Sequence, residues 1–518
     1  MKLPEQSRRS FITSTAVLSV AASVGSVTKV ALAQSENSLT VRFYGALDSL
    51  DPGYNVGGSP DNDVLWAINP ALVHFGKKDG QLTYRPSDYV ESITERDPTH
   101  IDFTLKPGFM WTNGFGELTA EDVAYSYARM AESEWKGFYD AFETVEVKDK
   151  YSGTIVLKQP FAPFIVSTLS SGTGIILSKA ATESVGGKFT TDMPATCGPY
   201  LYEWKQKQWV KLTPNPEWTG TKPAYDNIDC IFITEDTAAA LAYEAGEVEV
   251  TKIVPQTFAR YKEEMPPDSK LEVAGALQYM WMGMNTEHPK LQDPKVRDAI
   301  QYAIDRDAIV QGAYGGTVEP SFGIVCPGLV GKRNESMYSY DPAKSKALLE
   351  EAGVTGLELN LRTLNNQERV LTAQIIQANL ADVGITVTVL PLDSGPFWEM
   401  GQESKGDTWK DLDLWIMRYG AGTDPYEPFQ WFLRDQVGIW NWERWSDDEF
   451  EELYKKGIAE TDPDQRNQIY IRMQEIMEQT GAYVWLAHEP EVYVHKASVD
   501  VDLAPSGEMQ LLYFKPSA

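Results

Sequence analysis

Cysteine is scarce in this sequence, and long apolar runs are missing from most of it. Three Cys among 518 residues cannot build a disulfide scaffold, and Cys197, Cys230 and Cys326 lack the CxxC or Cys/His spacing of a metal site. One bridge, between Cys197 and Cys230, is conceivable. After the N-terminal segment no apolar run approaches ~18 residues, so no membrane-spanning helix is predicted.

Basic residues are outnumbered by acidic ones. The chain has 46 Lys and Arg against 74 Asp and Glu, which gives a formal net charge of −28 at pH 7. Such a chain repels nucleic acid and anionic lipid. Neither is therefore expected as the main partner of this protein.

The known motifs of catalysis and cofactor binding are also missing. The chain has no GxSxG, HExxH, GxxxxGK[ST] or EF-hand pattern. Its five His are scattered, and His488 and His495 stand seven apart with a proline between them, which is not metal-ligand spacing. We therefore expect no enzymatic activity, no cofactor and no metal site.

The first 33 residues read as a signal peptide. Ser7-Arg8-Arg9-Ser10-Phe11-Ile12 is a twin-arginine pattern, a weakly apolar run follows it, and Ala31-Leu32-Ala33 is a small-x-small cleavage signal. A twin-arginine signal is read by the route that exports folded proteins. The sequence therefore predicts a periplasmic or cell-surface protein exported by that route.

The rest of the chain alternates helix and strand patterns, which is typical of an α/β protein of two or three domains. Helix starts are predicted from N-cap residues and from Asp-Pro pairs. These starts are Thr119, Asp293, Asp341, Ser446 and Asp462. Strands are predicted at residues 39–43, 101–105, 154–157, 209–213 and 228–233.

Three segments resemble the bacterial extracellular solute-binding proteins of family 5, which include peptide- and nickel-binding subunits of ABC importers. Arg85–Met130 contains a Trp-x-Asn-Gly turn before the helix start LTAEDV. Cys197–Ile233 opens with CGPYLYEW, where the family normally has Thr-Gly-Pro-Tyr. Met282–Val310 contains MNTEHPKLQDPKVRDAIQYAIDRD, and an Asp-Pro loop and an Asn-Trp pair follow in the family's order.

The resemblance implies a two-lobe periplasmic binding protein fold, the large cluster C-type clamp with an extra subdomain in the first lobe. After the signal peptide at 1–33, lobe I would span 34–273, with an inserted subdomain at about 60–190. Lobe II would span 274–489, and the C-terminal segment 490–518 would return to lobe I.

The resemblance also implies a function. The chain would be the extracytoplasmic substrate-binding component of an ABC importer, a monomer that captures a peptide or peptide-like solute and delivers it to membrane permease subunits. An oligosaccharide or opine-like ligand is the alternative within the binding class. A chaperone or signalling receptor, or a secreted hydrolase using its carboxylates, are the alternatives from other classes.

The aromatic stretch RYGAGTDPYEPFQWFLRDQVGIWNWERW, residues 418–445, is the candidate binding region. Ala421 stands where the peptide binders carry the Asp that pairs with the peptide amine, and Thr363, next to Arg362, stands where dipeptide binders carry an Arg. Both differences argue against free dipeptides, and a ligand amine would need Asp393 or Asp424 instead. Ligand-contacting residues are predicted to be Arg418, Tyr419, Asp424, Trp398, Trp415, Asn441 and Trp442.

Overall fold

The structure, a computed structural model, describes residues 37–55, 60–78 and 81–517. The signal peptide predicted for residues 1–33 lies outside the described residues. Within the described part of the chain, every helix is too short or too polar to cross a lipid bilayer.

Strands supply most of the framework. They are β1 (Ser38–Phe43), β2 (Val73–Lys78), β3 (Gln81–Pro86), β4 (Val90–Asp97), β5 (His100–Leu105), β6 (Phe142–Val147), β7 (Ser152–Leu157), β8 (Tyr200–Lys205), β9 (Trp209–Pro214), β10 (Asn227–Phe232), β11 (Val250–Ile253), β12 (Ser269–Met284), β13 (Glu319–Pro320), β14 (Glu358–Leu364), β15 (Thr386–Leu392), β16 (Leu414–Gly420), β17 (Tyr483–Lys496), β18 (Val499–Asp500) and β19 (Lys515–Pro516).

Helices pack on the faces of these strands. They are α1 (Asp61–Ile68), α2 (Ala120–Met130), α3 (Lys179–Ser184), α4 (Asp236–Glu244), α5 (Pro255–Glu263), α6 (Pro294–Ala303), α7 (Arg306–Tyr314), α8 (Pro342–Glu351), α9 (Gln367–Asp382), α10 (Ser394–Glu399), α11 (Tyr426–Phe429), α12 (Asp448–Ala459) and α13 (Pro463–Gln479).

One sheet of 11 strands runs through the described chain in the order β15-β14-β16-β12-β17-β11-β1-β10-β9-β8, with β13 added to β17. Its centre is the antiparallel pair β12 and β17, of 16 and 14 residues. The pair changes register between Val273 and Gln278, where Gly275 lies against the C-terminal segment. A Cβ on Gly275 would stand 2.5 Å from the Pro505 carbonyl oxygen, so this close approach requires glycine.

Separate apolar cores pack against the two ends of this pair. The β1, β8, β9 and β10 end packs with α1 and the C-terminal segment in one core. At the other end, alternate residues of β12 and β17 face two different cores: Met280 and Val484 pack with α6, α7 and α9, whereas Trp281 and Trp485 pack with α13 and the aromatic stretch. The alternation follows from the two-residue period of a strand. β12 and β17 therefore connect the two halves of the sheet.

A further core belongs to the four-stranded antiparallel sheet β4-β5-β7-β6, which packs with α2. The predicted lobe limits at 273/274 and 489/490 fall inside β12 and β17. The domain limits themselves stay a prediction.

Most of the predicted elements are present. All five predicted strands are confirmed as β1, β5, β7, β9 and β10. The capping box at Thr119 is formed, and the Asp-Pro helix starts are confirmed for α6, α8 and α13. The predicted start at Ser446 is wrong by one residue, because Asp447 is the N-cap of α12 and accepts from the Phe450 amide.

The three cysteines are free and buried, so the conceivable Cys197–Cys230 bridge is not formed. The reason is their distribution among the cores. Cys197 lies in the core of the four-stranded sheet, Cys230 in the β1–β10 core and Cys326 in the α13 core.

Candidate functional site

The loop Arg418–Asp424 leaves the end of β16 and leads into α11. Gly422 has φ +63°, and a Cβ there would lie 2.1 Å from Glu427 Oε2, so the loop requires glycine at this position. Glu427 folds back onto the loop, where its Oε1 accepts from the Thr423 amide at 2.9 Å and from the Asp424 amide at 3.3 Å. The carboxylate of Glu427 therefore lies beside the loop backbone.

An inner cavity of about 180 Å³ opens beside this loop. Gly422, Thr423 and Glu427 line one side. The rest of the lining comes from residues between 135 and 173 and from Pro52, Asn55, Asn62, Trp66, Phe75, Ser506 and Glu508. Ser167 belongs to a π-helical turn, and its Oγ donates to Glu427 Oε1 at 2.9 Å across this gap. We call the β1–β10 core, the four-stranded sheet and the C-terminal segment one half of the fold, and the part of the chain from α6 to α13 the other half. The inner cavity is lined by residues of both halves.

Two more cavities continue from the inner one. A middle cavity of about 550 Å³ shares Trp135, Phe138, Gly422 and Glu427 with it. An aromatic cavity of about 330 Å³ adjoins the middle one through Gly420 and Trp431. We call these three adjoining cavities the cleft.

A larger hollow, of about 820 Å³, lies elsewhere. Its described lining residues are Arg85, three residues at 221–224, the start of β12 at 270–272 and residues of the C-terminal segment between 495 and 515, so none of them comes from the part of the chain from α6 to α13. The cleft is the better candidate for solute binding because its walls come from both halves.

The aromatic cavity is lined by Trp398, Tyr419, Trp431 and Trp440, together with Gly420. Trp398 stacks on Tyr419 with ring centroids 6.1 Å apart and an interplanar angle of 14°, and Trp440 meets both rings edge-on. These rings are only partly buried. They can therefore contact an apolar group, a sugar face or a cation.

Carboxylates supply the only charged side chains on the described lining of the cleft. Glu427 and Glu508 line the inner cavity, and Asp140 and Glu427 line the middle one. Burial raises the pKa of Glu427 to about 7, against hydrogen bonds from Thr423 and Ser167 that lower it. Burial also raises the pKa of Glu508.

Three polar groups on the inner cavity make no hydrogen bond to a described residue. Asn62 is 6% exposed, and its Nδ2 has no acceptor among the described residues. Trp66 is 1% exposed, and its Nε1 is likewise unpaired. All four hydrogen bonds to Glu427 go to Oε1, which leaves Oε2 free among the described residues.

The structure brings two of the predicted residues, Trp398 and Tyr419, together in the aromatic cavity. Arg418 lies at the same strand end and forms an ion pair with Glu489. The Arg369 side chain is buried nearby, and its Nη1 has no hydrogen-bond partner among the described residues. Arg418 therefore already has a carboxylate partner within the chain.

The other four predicted residues are buried and have partners inside the protein. Asp424 accepts two hydrogen bonds from Arg466 at 2.9 and 3.0 Å. Asn441 is fully buried and donates to backbone carbonyls, among them that of Trp445 at 3.0 Å. Trp415 and Trp442 are 1% and 2% exposed and pack on each other. These side chains present no surface to the cleft.

The positions taken from the resemblance also lie away from the described lining of the cleft. Thr363 is buried, and Arg362 forms an ion pair with Asp413 at 3.0 Å. Asp393 is exposed at the start of α10. Ala421 is fully buried, and its amide donates to the Leu277 carbonyl at 2.8 Å.

Four parts of the cleft were not predicted from the sequence: Glu427, Glu508, Asn62 and the Trp66–Trp135 side. Glu427 could have been noticed, since it follows Asp424-Pro425 by one helical turn. The remaining residues carry no local signal, because they lie more than 250 positions before the loop or about 80 positions after it.

A model of the family described as bacterial extracellular solute-binding proteins, family 5 (middle region), matches residues 87–440. The chain belongs to this family. Family 5 proteins are extracytoplasmic solute-binding proteins that bind peptides or other small ligands and work with ABC permeases. They are binding proteins, and importer function fits this chain.

Individual relatives agree with the family 5 assignment. The glutathione-binding protein GsiB of Escherichia coli is 27% identical over 374 residues, which cover 70% of this chain and 71% of that protein. The ABC transporter substrate-binding protein CtaP of Listeria monocytogenes superposes with a TM-score of 0.81 at 22% identity, over 94% of this chain and 100% of that one. DppA of Helicobacter pylori, in complex with the peptide STSA, gives 0.70 at 23% identity, over 93% and 99%. The two-lobe periplasmic binding protein fold is thereby confirmed.

Proposed function

We propose that this protein captures a peptide or peptide-like solute in the cleft and delivers it to membrane permease subunits of an ABC importer. The observation that carries the proposal is the cleft, whose walls come from both halves of the fold. A solute held there contacts both walls, so its binding free energy favours the closed arrangement of the two halves. GsiB is named as a glutathione binder, and DppA holds a peptide, which supports a peptide-like solute.

The proposed lobes follow the predicted limits. Lobe I would comprise 34–273 with the inserted subdomain at about 60–190 and the return segment 490–518, and lobe II would comprise 274–489. The long pair β12 and β17 would act as the hinge, because its register shifts lie where the two halves meet.

Six of the seven predicted site residues take one of two roles in this proposal. Trp398 and Tyr419 contact the solute, and Arg418 lies beside them. Asp424, Asn441, Trp415 and Trp442 support the loop from behind, because buried partners hold each of them. The supporting role of Asp424 replaces the direct contact expected from the sequence.

The protein is proposed to perform no chemistry on its solute. An oligosaccharide or opine-like solute is the second candidate within this function, and the four rings of the aromatic cavity favour it because a sugar face stacks well on indole.

Calorimetry of site variants tests the proposal. The solute that copurifies with the protein is identified by mass spectrometry and titrated into the ligand-free wild type and into Tyr419→Ala and Trp398→Ala. We expect each variant to bind at least about fivefold more weakly, since a stacked ring contributes about 1 kcal/mol or more. Trp409→Ala serves as control, because Trp409 packs under Arg444 away from the cleft. Unchanged affinity in both cleft variants would refute the site.

Export by the twin-arginine route is also proposed, on the basis of Arg8 and Arg9. The variant Arg8→Lys/Arg9→Lys is expected to accumulate as uncleaved precursor in the cytoplasm. Normal maturation of this double variant would contradict the proposed route.

A further inference from the structure

The charged groups of the cleft differ from those that a zwitterion needs. A free peptide carries an ammonium and a carboxylate, and each requires a partner once water is excluded. Among the described lining residues of the three cavities there are carboxylates but no Lys, Arg or His. Two guanidinium groups lie at the loop, and each already has a carboxylate partner: Arg466 donates to Asp424 through both of its terminal nitrogens, and Arg418 forms an ion pair with Glu489.

We infer that the solute is a cation, a small amine without a carboxylate, whose ammonium binds between Glu427 and Glu508 in the inner cavity. This inference rests on the proposed function and adds to it the charge class of the solute. Both carboxylates line the inner cavity: Glu427 follows the loop, and Glu508 belongs to the C-terminal segment. One ammonium between them would therefore connect the two halves of the fold.

The hydrogen bonds of Glu427 leave one of its two carboxylate oxygens available to such a ligand. Its Oε1 is saturated by the loop amides and by Ser167, whereas Oε2 has no partner among the described residues. A protonated amine carries donors only, and a charge-assisted hydrogen bond to a carboxylate oxygen is among the stronger polar contacts in proteins. Burial already raises the pKa of Glu427 to about 7, which is the signature of a desolvated carboxylate without a cationic partner.

A second, independent observation comes from helix α1. The Trp66 indole N–H lines the same cavity, the side chain is 1% exposed, and the N–H makes no hydrogen bond to a described acceptor; Asn62, 6% exposed, lines the cavity one turn earlier on the same helix. Unpaired buried donors are costly, so they indicate a ligand acceptor such as a carbonyl or hydroxyl oxygen. The volume of about 180 Å³ holds a head group of a few heavy atoms. An aminoacyl amide, with an ammonium next to a carbonyl, has this pattern of groups.

The rest of the solute would extend along the middle cavity toward the aromatic one. Trp135 and Phe138 line the passage, and the Trp398 and Trp440 rings line its end. Aromatic faces accept an apolar group or a second cation, but they offer no partner to a carboxylate. A C-terminal carboxylate is therefore disfavoured along the whole cleft.

The test compares matched probes by calorimetry on the ligand-free wild type. Alanyl-phenylalaninamide, alanyl-leucinamide and alanyl-glycinamide carry a cation only; the corresponding free dipeptides are zwitterions, and the N-acetylated amides are neutral. We expect at least one amide to bind, and its zwitterionic and neutral counterparts to bind at least tenfold more weakly.

Variants then locate the ammonium. Glu427→Gln and Glu508→Gln should each weaken amide binding at least tenfold, whereas Glu91→Gln, which removes the same charge on the exposed strand β4, should leave it unchanged. Gln at 427 keeps an Oε1 acceptor for the loop amides, and an unchanged melting temperature verifies the fold of each variant.

Three outcomes overturn the inference: no amide binds, a zwitterion binds as tightly as its amide, or both Gln variants keep wild-type affinity for the amide. If a zwitterion binds tightly and lowers the radius of gyration, the receptor function is supported, but the inference that the solute is a cation is refuted. Failure of the proposed function would instead appear in the other experiment, as unchanged affinity of Tyr419→Ala and Trp398→Ala for the copurified solute.

Discussion

At the scale of the residue, Glu443 is a carboxylic acid enclosed by an aromatic core. It is fully buried, its Oε1 accepts from the Trp281 indole N–H at 2.7 Å, and its Oε2 has no described partner. Burial raises its pKa from an ordinary value of 4.5 to about 8, although the hydrogen bond from Trp281 opposes the shift. The folded protein therefore holds a proton at this site that the unfolded chain releases at a lower pH.

The sign of the pH effect follows from this difference. The protonated form contributes its full stability below pH 4.5, and that contribution is lost as the pH rises toward 8, because the unfolded state ionises first. We expect Glu443→Gln to have a higher free energy of unfolding than the wild type at pH 8, by at least about 1.4 kcal/mol, the value of one pKa unit. At pH 4.5 the two proteins should differ little.

Thermal unfolding of both proteins across this pH range measures the effect. Glu91→Gln is the matched control, since it makes the same substitution at an exposed position. Parallel curves for Glu443→Gln and the wild type would contradict the raised pKa.

At the scale of the element, the start of α12 shows how one residue decides a helix end. Both Ser446 and Asp447 are good N-cap residues by type. The backbone at Asp447 is extended, with φ −144° and ψ 133°, and its carboxylate accepts from the Phe450 amide at 2.9 Å. The helix therefore begins at Asp448, and Ser446 lies outside it.

We expect Asp447→Ala to lower the free energy of unfolding by about 1 kcal/mol, because one amide of the first turn loses its acceptor. Ser446→Ala is the matched control and should change it by no more than a few tenths of a kcal/mol. Urea denaturation compares them. Equal losses, or a larger loss at Ser446, would show that the cap is assigned to the wrong residue.

At the scale of the whole molecule, contacts between residues far apart in the sequence join the two sides of the cleft. Ser167 donates to Glu427 across 260 positions of the chain, the Phe161 and Tyr426 rings meet edge-on at 5.2 Å, and the Ala162 amide donates to the Ile458 carbonyl. These contacts are few compared with the cores on either side. The two halves are therefore expected to separate without unfolding when no solute is bound.

Binding should accordingly change the dimensions of the molecule. At saturating solute we expect a smaller radius of gyration in small-angle scattering, and a melting temperature that rises with solute concentration by mass action. Tyr419→Ala at the same solute concentration is the control, since its weaker binding should leave more of the protein in the open arrangement, with the larger radius of gyration. An unchanged scattering curve for the saturated wild type would contradict closure.

The sequence by itself determined the local parts of this protein. The helix starts at Asp293, Asp341 and Asp462 were predictable because a cap is a contact within four residues, and the strands were predictable because their apolar pattern has a period of two. The order of the segments that resemble family 5 also indicated the family, and with it the two-lobe fold, since those segments span most of the chain.

Only the tertiary structure decided which side chains face the cleft. In the aromatic stretch, Trp415 and Trp442 lie in the core while Trp431 and Trp440 line a cavity, although the local sequence makes them look equivalent. Asp424 was predicted to contact the ligand, but Arg466 on α13 donates hydrogen bonds to both of its carboxylate oxygens. The carboxylate that this loop region presents to the cleft is that of Glu427, because the absence of a Cβ at Gly422 leaves room for it and Ser167 donates a hydrogen bond to it. Burial and pairing of this kind depend on contacts between segments far apart in the chain, and no local pattern encodes them.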